Sequence, residues 1–275
     1  MFFCLIDLFK RVMISKRLCC ILIFFAFIFP VFAWQVETLQ TDSPKQQLTI
    51  NLVFAPLDYS GKEEIKEDVS LITTRLKSIF PFNEFNGFRF FLLIFDGQKS
   101  GDIFEESKTF PYLKINNDFI QELNDEIRGN YKLVILNKQG NASGAELSNI
   151  NETSIIILGK NSFGEKNRLA KAFLHEFGHS LGLREENPTS IQEIIPGKPN
   201  CALNKNIAVE WWGEIAEENS GVDYFEIKSN DKIFIKPTLR SIMNDPFKSY
   251  GYGPVNEQYL CEELEIERDR GNYGR

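Results

Sequence analysis

Apolar positions along the chain change their spacing several times, and each change marks an element. QLTINLVFAP, residues 47–56, is rich in β-branched and aromatic side chains and stops at a proline, which predicts a strand. KEEIKEDVSLITTRLKSIF, 62–80, sets Ile65, Val69, Ile72, Leu76 and Ile79 at steps of three and four, the spacing of an amphipathic helix with a polar outer face. PFNEF follows as a turn, and the nearly continuous apolar run GFRFFLLIFDG, 87–97, predicts a buried strand. DFIQELNDEIRG, 118–129, reads as a helix closed by Gly129. YKLVILNK, 131–138, and TSIIILGK, 153–160, read as two more strands joined by a polar loop. The next helix runs from about 163 to 181. Ser162 and Glu165 form a capping box at its start, Leu169, Phe173, Leu174, Phe177 and Leu181 give its apolar face, and Gly182 stops it. Residues 183–240 hold Pro188, Pro196 and Pro199 and read as mostly irregular, apart from the hairpin-like DYFEIKSNDKIFIKP. VNEQYLCEELEIERDR, 255–270, is the last predicted helix, and the polar stretch 34–46 reads as a loose leader. Strands alternating with helices predict an α/β architecture, a sheet layered with helices.

Residues 1–33 have a different character. Lys10, Arg11, Lys16 and Arg17 precede a 16-residue apolar run, Leu18 to Ala33, with small residues at Val31 and Ala33. That pattern predicts a secretory signal cleaved after Ala33, with Met1 or Met13 as the start. The alternative is an uncleaved membrane anchor formed by residues 18–33, although spanning a bilayer takes about 20 residues. Removing 1–33 moves the net charge from −7 to −10. An acidic chain without a basic tract argues against a nucleic-acid partner, and a membrane is a partner only if the N-terminal segment stays. Cys201 and Cys261 then remain, and in an exported chain an even pair predicts a disulfide, the alternative being two buried free thiols.

The chain has two histidines, and both fall in HEFGHSLGLREE, 175–186. Two histidines scattered at random fall four apart with a glutamate after the first on the order of one time in a thousand. On a helix His175 and His179 lie one turn apart on one side, the geometry that two zinc ligands need. Glu176 can then face a water at the metal and act as general base. No third histidine exists, so the third ligand is a carboxylate. Gly182 lets the chain turn sharply, and Glu185 three residues on can reach back; Glu186 beside it is the other candidate. Two imidazoles, one carboxylate and an open position make a catalytic zinc site, with one zinc per chain. Past residue 33 the chain has one methionine, Met243, in LRSIMND.

HEFGHSLGLREE followed some sixty residues later by SIMND resembles the metzincin clan of zinc endopeptidases, with Met243 at the Met-turn beneath the metal. Within the clan the chain is similar to the IgA-specific metallopeptidase family, in LTINLVFAPLDYS, IFPFNEF, LVILNKQGNASGA, KPTLRSIMND and YGPVNEQYLCEEL. The resemblance covers roughly residues 47–266. It implies a peptidase domain over 47–270 with two lobes. The upper lobe, about 47–182, carries a twisted mixed sheet and the active-site helix. The irregular lower lobe, about 183–270, carries the Met-turn and C-terminal helix. It also implies a rim near Asn137 to Gly144 where an extended substrate adds as a strand. Two positions depart from the pattern. The third ligand is a glutamate where the clan usually has His or Asp, and in these relatives an Asp-Glu pair aligns with either Glu185 or Glu186. Asp245 stands where many members have an oxyanion-steadying tyrosine, for which Tyr250 or Tyr252 could substitute.

The function expected is a secreted or periplasmic zinc endopeptidase acting on a protein or peptide substrate. The alternatives are a non-catalytic zinc-binding surface or adhesion protein, and a metal-dependent hydrolase of a non-peptide bond.

Overall fold

A computed structural model describes residues 34–41, 48–95, 104–106, 113–115, 117–127, 130–139, 145–150, 153–160, 166–187, 195–229 and 232–265. The predicted signal segment, the capping box at Ser162 and Glu165, and Gly129 lie outside them. Among the described residues, no helix is long and apolar enough to cross a membrane.

The chain is mixed α/β. Six strands form one mixed sheet in the order β1-β3-β2-β6-β8-β7. They are β1 (Trp34–Thr41), β2 (Ile50–Leu57), β3 (Phe88–Phe95), β6 (Tyr131–Asn137), β7 (Ala145–Ile150) and β8 (Thr153–Gly159). The inner four run parallel, and β1 and β7 close the two edges antiparallel. Two small hairpins stand apart from it, β4 (Phe104–Glu106) with β5 (Leu113–Ile115) and β9 (Phe225–Ser229) with β10 (Lys232–Lys236).

Crossover handedness explains where the helices sit. From β2 the chain steps to β3 on one side through α1 (Lys62–Leu76). From β3 it returns past β2 to β6 through α2 (Asn117–Glu126). Two right-handed crossovers in opposite directions put their helices on opposite faces. Alternation along the strands follows. Leu52, Phe54, Phe90, Leu92, Val134, Leu136, Ile156 and Leu158 pack with α1 and α3 (Lys166–Ser180). Val53, Ala55, Leu93, Leu133, Ile135, Ile155 and Ile157 pack with Phe119, Ile120 and Leu123 of α2. Burial on both faces is why these strands read as unbroken apolar runs.

Four expectations need correction. Residues 34–41 of the supposed loose leader form strand β1, and 42–46 lie outside the described residues. In β1, Trp34 and Val36 pack on the α2 side, while Glu37 pairs with Lys62 and Lys66 of α1. Its sequence is polar because it is an edge strand. The supposed loop between β6 and β8 contains β7, whose AELSNI has too little apolar alternation to announce a strand. The irregular region contains α4 (Lys205–Glu218), capped where Asn204 accepts from the Ile207 N–H, and kinked at Trp212. Adjacent tryptophans and Gly213 are poor helix formers, and this helix is held by burying Ala208 and Trp212 instead. The last correction concerns the predicted disulfide: Cys201 and Cys261 are both buried thiols and no disulfide joins them. Cys201 packs with Ile227 and Phe234 of the β9–β10 hairpin, while Cys261 lies on α5 (Pro254–Glu263). Burial pushes the Cys201 thiol up to about 12, so it is unreactive.

An aromatic stack fixes α3 to this frame. The Phe82 ring lies 5.2 Å from Phe177, 5.6 Å from Tyr252 and 6.1 Å from Phe88, so one side chain joins α3, the sheet and the segment before α5. Phe82→Ala is expected to destabilise the fold by ~3–5 kcal/mol, measured by chemical denaturation.

Candidate metal centre

His175 and His179 lie on the last two turns of α3, and the chain reverses directly after them. Gly182 takes φ +98°, and the Leu183 N–H returns to the Gly178 carbonyl at 3.1 Å. A side chain at Gly182 would strike the Tyr259 hydroxyl at 2.6 Å, so glycine is required there twice over. The reversal carries Glu185 back to the helix. His175 Nε2 lies 3.2 Å from Glu185 Oε2 and 3.2 Å from His179 Nε2, and the third side, His179 Nε2 to Glu185 Oε2, is 3.7 Å.

The backbone sets the direction of each ring. His175 Nδ1 lies 2.9 Å from the Ile242 carbonyl, and His179 Nδ1 lies 2.9 Å from the Leu183 carbonyl. A carbonyl only accepts, so each Nδ1 donates a proton and each Nε2 faces inward. Two imidazole nitrogens and a carboxylate oxygen therefore converge on one point, which attracts a positive centre. Burial opposes charge on His175, but the hydrogen bond to Glu185 and the nearby Glu176 carboxylate outweigh it and raise its pKa to about 9. Glu185 is also pushed up by burial, yet the two imidazoles and the Asn187 N–H bring it down to about 2. Side-chain exposures of 13%, 19% and 21% for His175, Glu185 and His179 leave one side of the cluster open to solvent.

These three residues are the group among the described ones that could hold a metal ion, with their ligand atoms within 4.8 Å of one another. The spacing tests the fit. Ligands at zinc distances of ~2.0–2.1 Å in a tetrahedron stand about 3.3 Å apart, close to the observed edges. Glu176 follows His175 on α3 and is partly exposed.

The neighbouring glutamate has a different part. Glu186 is completely buried. Its Oε1 accepts from Asn200 at 2.7 Å and Asn256 at 2.8 Å, and its Oε2 accepts from the Ser241 hydroxyl at 2.5 Å. Its N–H donates to the Met243 carbonyl, and its own carbonyl accepts from Lys236 Nζ at 3.2 Å. Asn200 also bonds both the N–H and the carbonyl of Arg184. Burial holds the Glu186 acid above its ordinary range against the pull of these donors and of Lys236. Neither Asn200, Ser241 nor Asn256 carries a signal in the sequence, because an isolated polar residue there reads as loop or helix surface.

Met243 is fully buried under α3. A Cβ at Gly178 would come within 2.6 Å of its sulfur and 3.0 Å of the Tyr252 ring, so the glycine between the two histidines allows this close layer. Tyr252 is buried, and its hydroxyl donates to the Leu174 carbonyl at 2.5 Å, which removes it as an oxyanion donor. Tyr250 is 82% exposed and stands beside Lys171, four residues before His175. Asp245 accepts from the Phe247 and Lys248 N–H groups and so forms the turn after Met243. Residues 140–144 of the expected rim lie outside the described residues.

No family model and no curated protein matches the chain.

Glu186→Ala would strand three buried side-chain donors at ~1–3 kcal/mol each. It is expected to destabilise the protein by at least about 3 kcal/mol, and Glu186→Gln by clearly less, since an amide keeps one acceptor and the volume. Thermal and denaturant unfolding of the two variants measures the difference.

Proposed function

We propose that the chain is a zinc-dependent endopeptidase that hydrolyses peptide bonds in a protein or peptide substrate. The observation that carries this reading is the convergence of His175 Nε2, His179 Nε2 and Glu185 Oε2 at near-tetrahedral spacing, open on one side and next to Glu176. One zinc per chain would be held by these three residues. When bound, zinc supplies Lewis acidity toward a peptide carbonyl and lowers the pKa of a water.

The chain's own residues do the rest. Glu176 takes a proton from the attacking water and delivers it to the leaving amine. The Ile242 and Leu183 carbonyls hold both imidazoles in the tautomer that ligates. Met243 supports α3 from below through Gly178. This arrangement fits the resemblance to metzincins: a mixed sheet and ligand helix above, and a buried methionine and final helix below. The antiparallel edge strand β7 is where an extended substrate would add as a further strand. Export through residues 1–33 belongs to the same proposal, giving a secreted or periplasmic enzyme.

Metal analysis of the purified protein, together with digestion of an unfolded protein mixture with and without a chelator, tests the reading. One zinc per chain and chelator-sensitive cutting are expected. Zinc without any cutting would favour a binding or adhesion protein instead. Glu176→Gln is expected to retain zinc and lose a factor of ~10²–10⁴ or more in turnover. Cutting at the wild-type rate by that variant would overturn the mechanism. Glu185→Ala is expected to lower zinc content more than Glu186→Ala does, because only Glu185 faces the two imidazoles; metal-to-protein ratios decide it.

A further inference from the structure

Between α1 and the first half of α3 lies an open cavity of about 650 Å³. Arg75 and Ser78 line it from the end of α1 and the turn after it, Arg168 and Lys171 from α3, and Phe247 and Tyr250 from the loop beyond Met243. Among the described residues no acidic side chain lines it, although the whole chain carries a net charge of −7. His175, His179 and Glu185 are not among its walls.

Among the described residues these cations have no carboxylate partner. Arg75 is half-buried, and among the described residues its guanidinium meets no carboxylate, carbonyl or aromatic ring. Five N–H donors partly removed from water call for an acceptor. On the facing helix, Arg168 lies over the Phe247 ring at 4.4 Å. Lys171 Nζ donates to the Phe247 carbonyl at 2.8 Å and stands 5.5 Å from the centre of the Tyr250 ring. Rings and a carbonyl position these two cations without neutralising them. A guanidinium fork matches the oxygens of a carboxylate or phosphate, and two cationic walls match two such groups.

We propose that this cavity binds a small dianion whose charged groups are phosphate or carboxylate oxyanions, held by Arg75 on one wall and by Arg168 and Lys171 on the other. The site does not depend on a metal and stands or falls apart from the peptidase reading.

Isothermal titration of the purified protein with inorganic phosphate, and separately with glutarate, tests it at an ionic strength held constant with sodium chloride. One saturable equivalent is expected with at least one of the two anions, weakened at least about tenfold in Arg75→Gln and in Arg168→Gln. Lys228→Gln, an exposed cation on β9, is expected to leave binding unchanged. Tighter binding of phosphate identifies a phosphate-bearing ligand, and tighter binding of glutarate a dicarboxylate. Circular dichroism establishes that each variant is folded, and two variants on different helices guard against the loss of one. The proposal is overturned if neither anion saturates. It is equally overturned if both arginine variants bind as wild type does, which would put the anion elsewhere, a metal at the histidines included.

Discussion

Three stretches of chain that are far apart in sequence meet at the carboxylate of Glu186, and the geometry of the histidine cluster follows from that meeting. Asn200 clamps the segment 184–186, Ser241 belongs to the turn that ends in Met243, and Asn256 belongs to α5. A buried acid with three side-chain donors tolerates little displacement, since each lost bond leaves a polar group stranded away from water. Glu185 is the next residue along the backbone, so its position is set by its neighbour. The Ile242 carbonyl that orients His175 is set from the other side, through Ser241 and Met243.

Two adjacent glutamates thus come to opposite states. Glu185 faces two imidazoles and is held ionised, with a pKa of about 2. Glu186 faces amides and a hydroxyl in complete burial, and its acid is pushed upward. Chemically identical side chains diverge because one is partly exposed beside two imidazoles, while for the other complete burial outweighs its amide and hydroxyl donors and the Lys236 charge. Spacing alone admits either residue as the partner of the histidines. The split depends on Asn200, Ser241 and Asn256, which lie 14, 55 and 70 residues away.

The layer beneath α3 shows how the fold serves the cluster. Gly178 admits the Met243 sulfur and the Tyr252 ring, Tyr252 bonds back to Leu174, and Phe82 wedges the assembly against the sheet. The helix bearing both histidines is therefore fixed on its buried side, while the face with the inward nitrogens stays partly open. Tyr252 is consumed in that support, so a tyrosine near the methionine does not by itself supply a group for chemistry.

Periodicity determined the elements whose burial is one-sided or complete: α1, the ligand helix α3, and strands β2, β3, β6 and β8. It determined the histidine pair as well, since four residues on a helix fix their mutual direction, and Gly182 marked the reversal. Edge strands β1 and β7 escaped because an edge needs little apolar content to pair, and α4 escaped because its tryptophans and glycine are helical only through burial. The pairing of Cys201 with Cys261 was inferred from parity and export, yet both are buried thiols with no disulfide between them, Cys201 against the β9–β10 hairpin and Cys261 on α5. Tertiary structure alone decided that Glu185 meets the imidazoles and Glu186 anchors the Met243 turn. Local sequence sets the reach of a side chain, but which partners surround it depends on segments that only folding brings together.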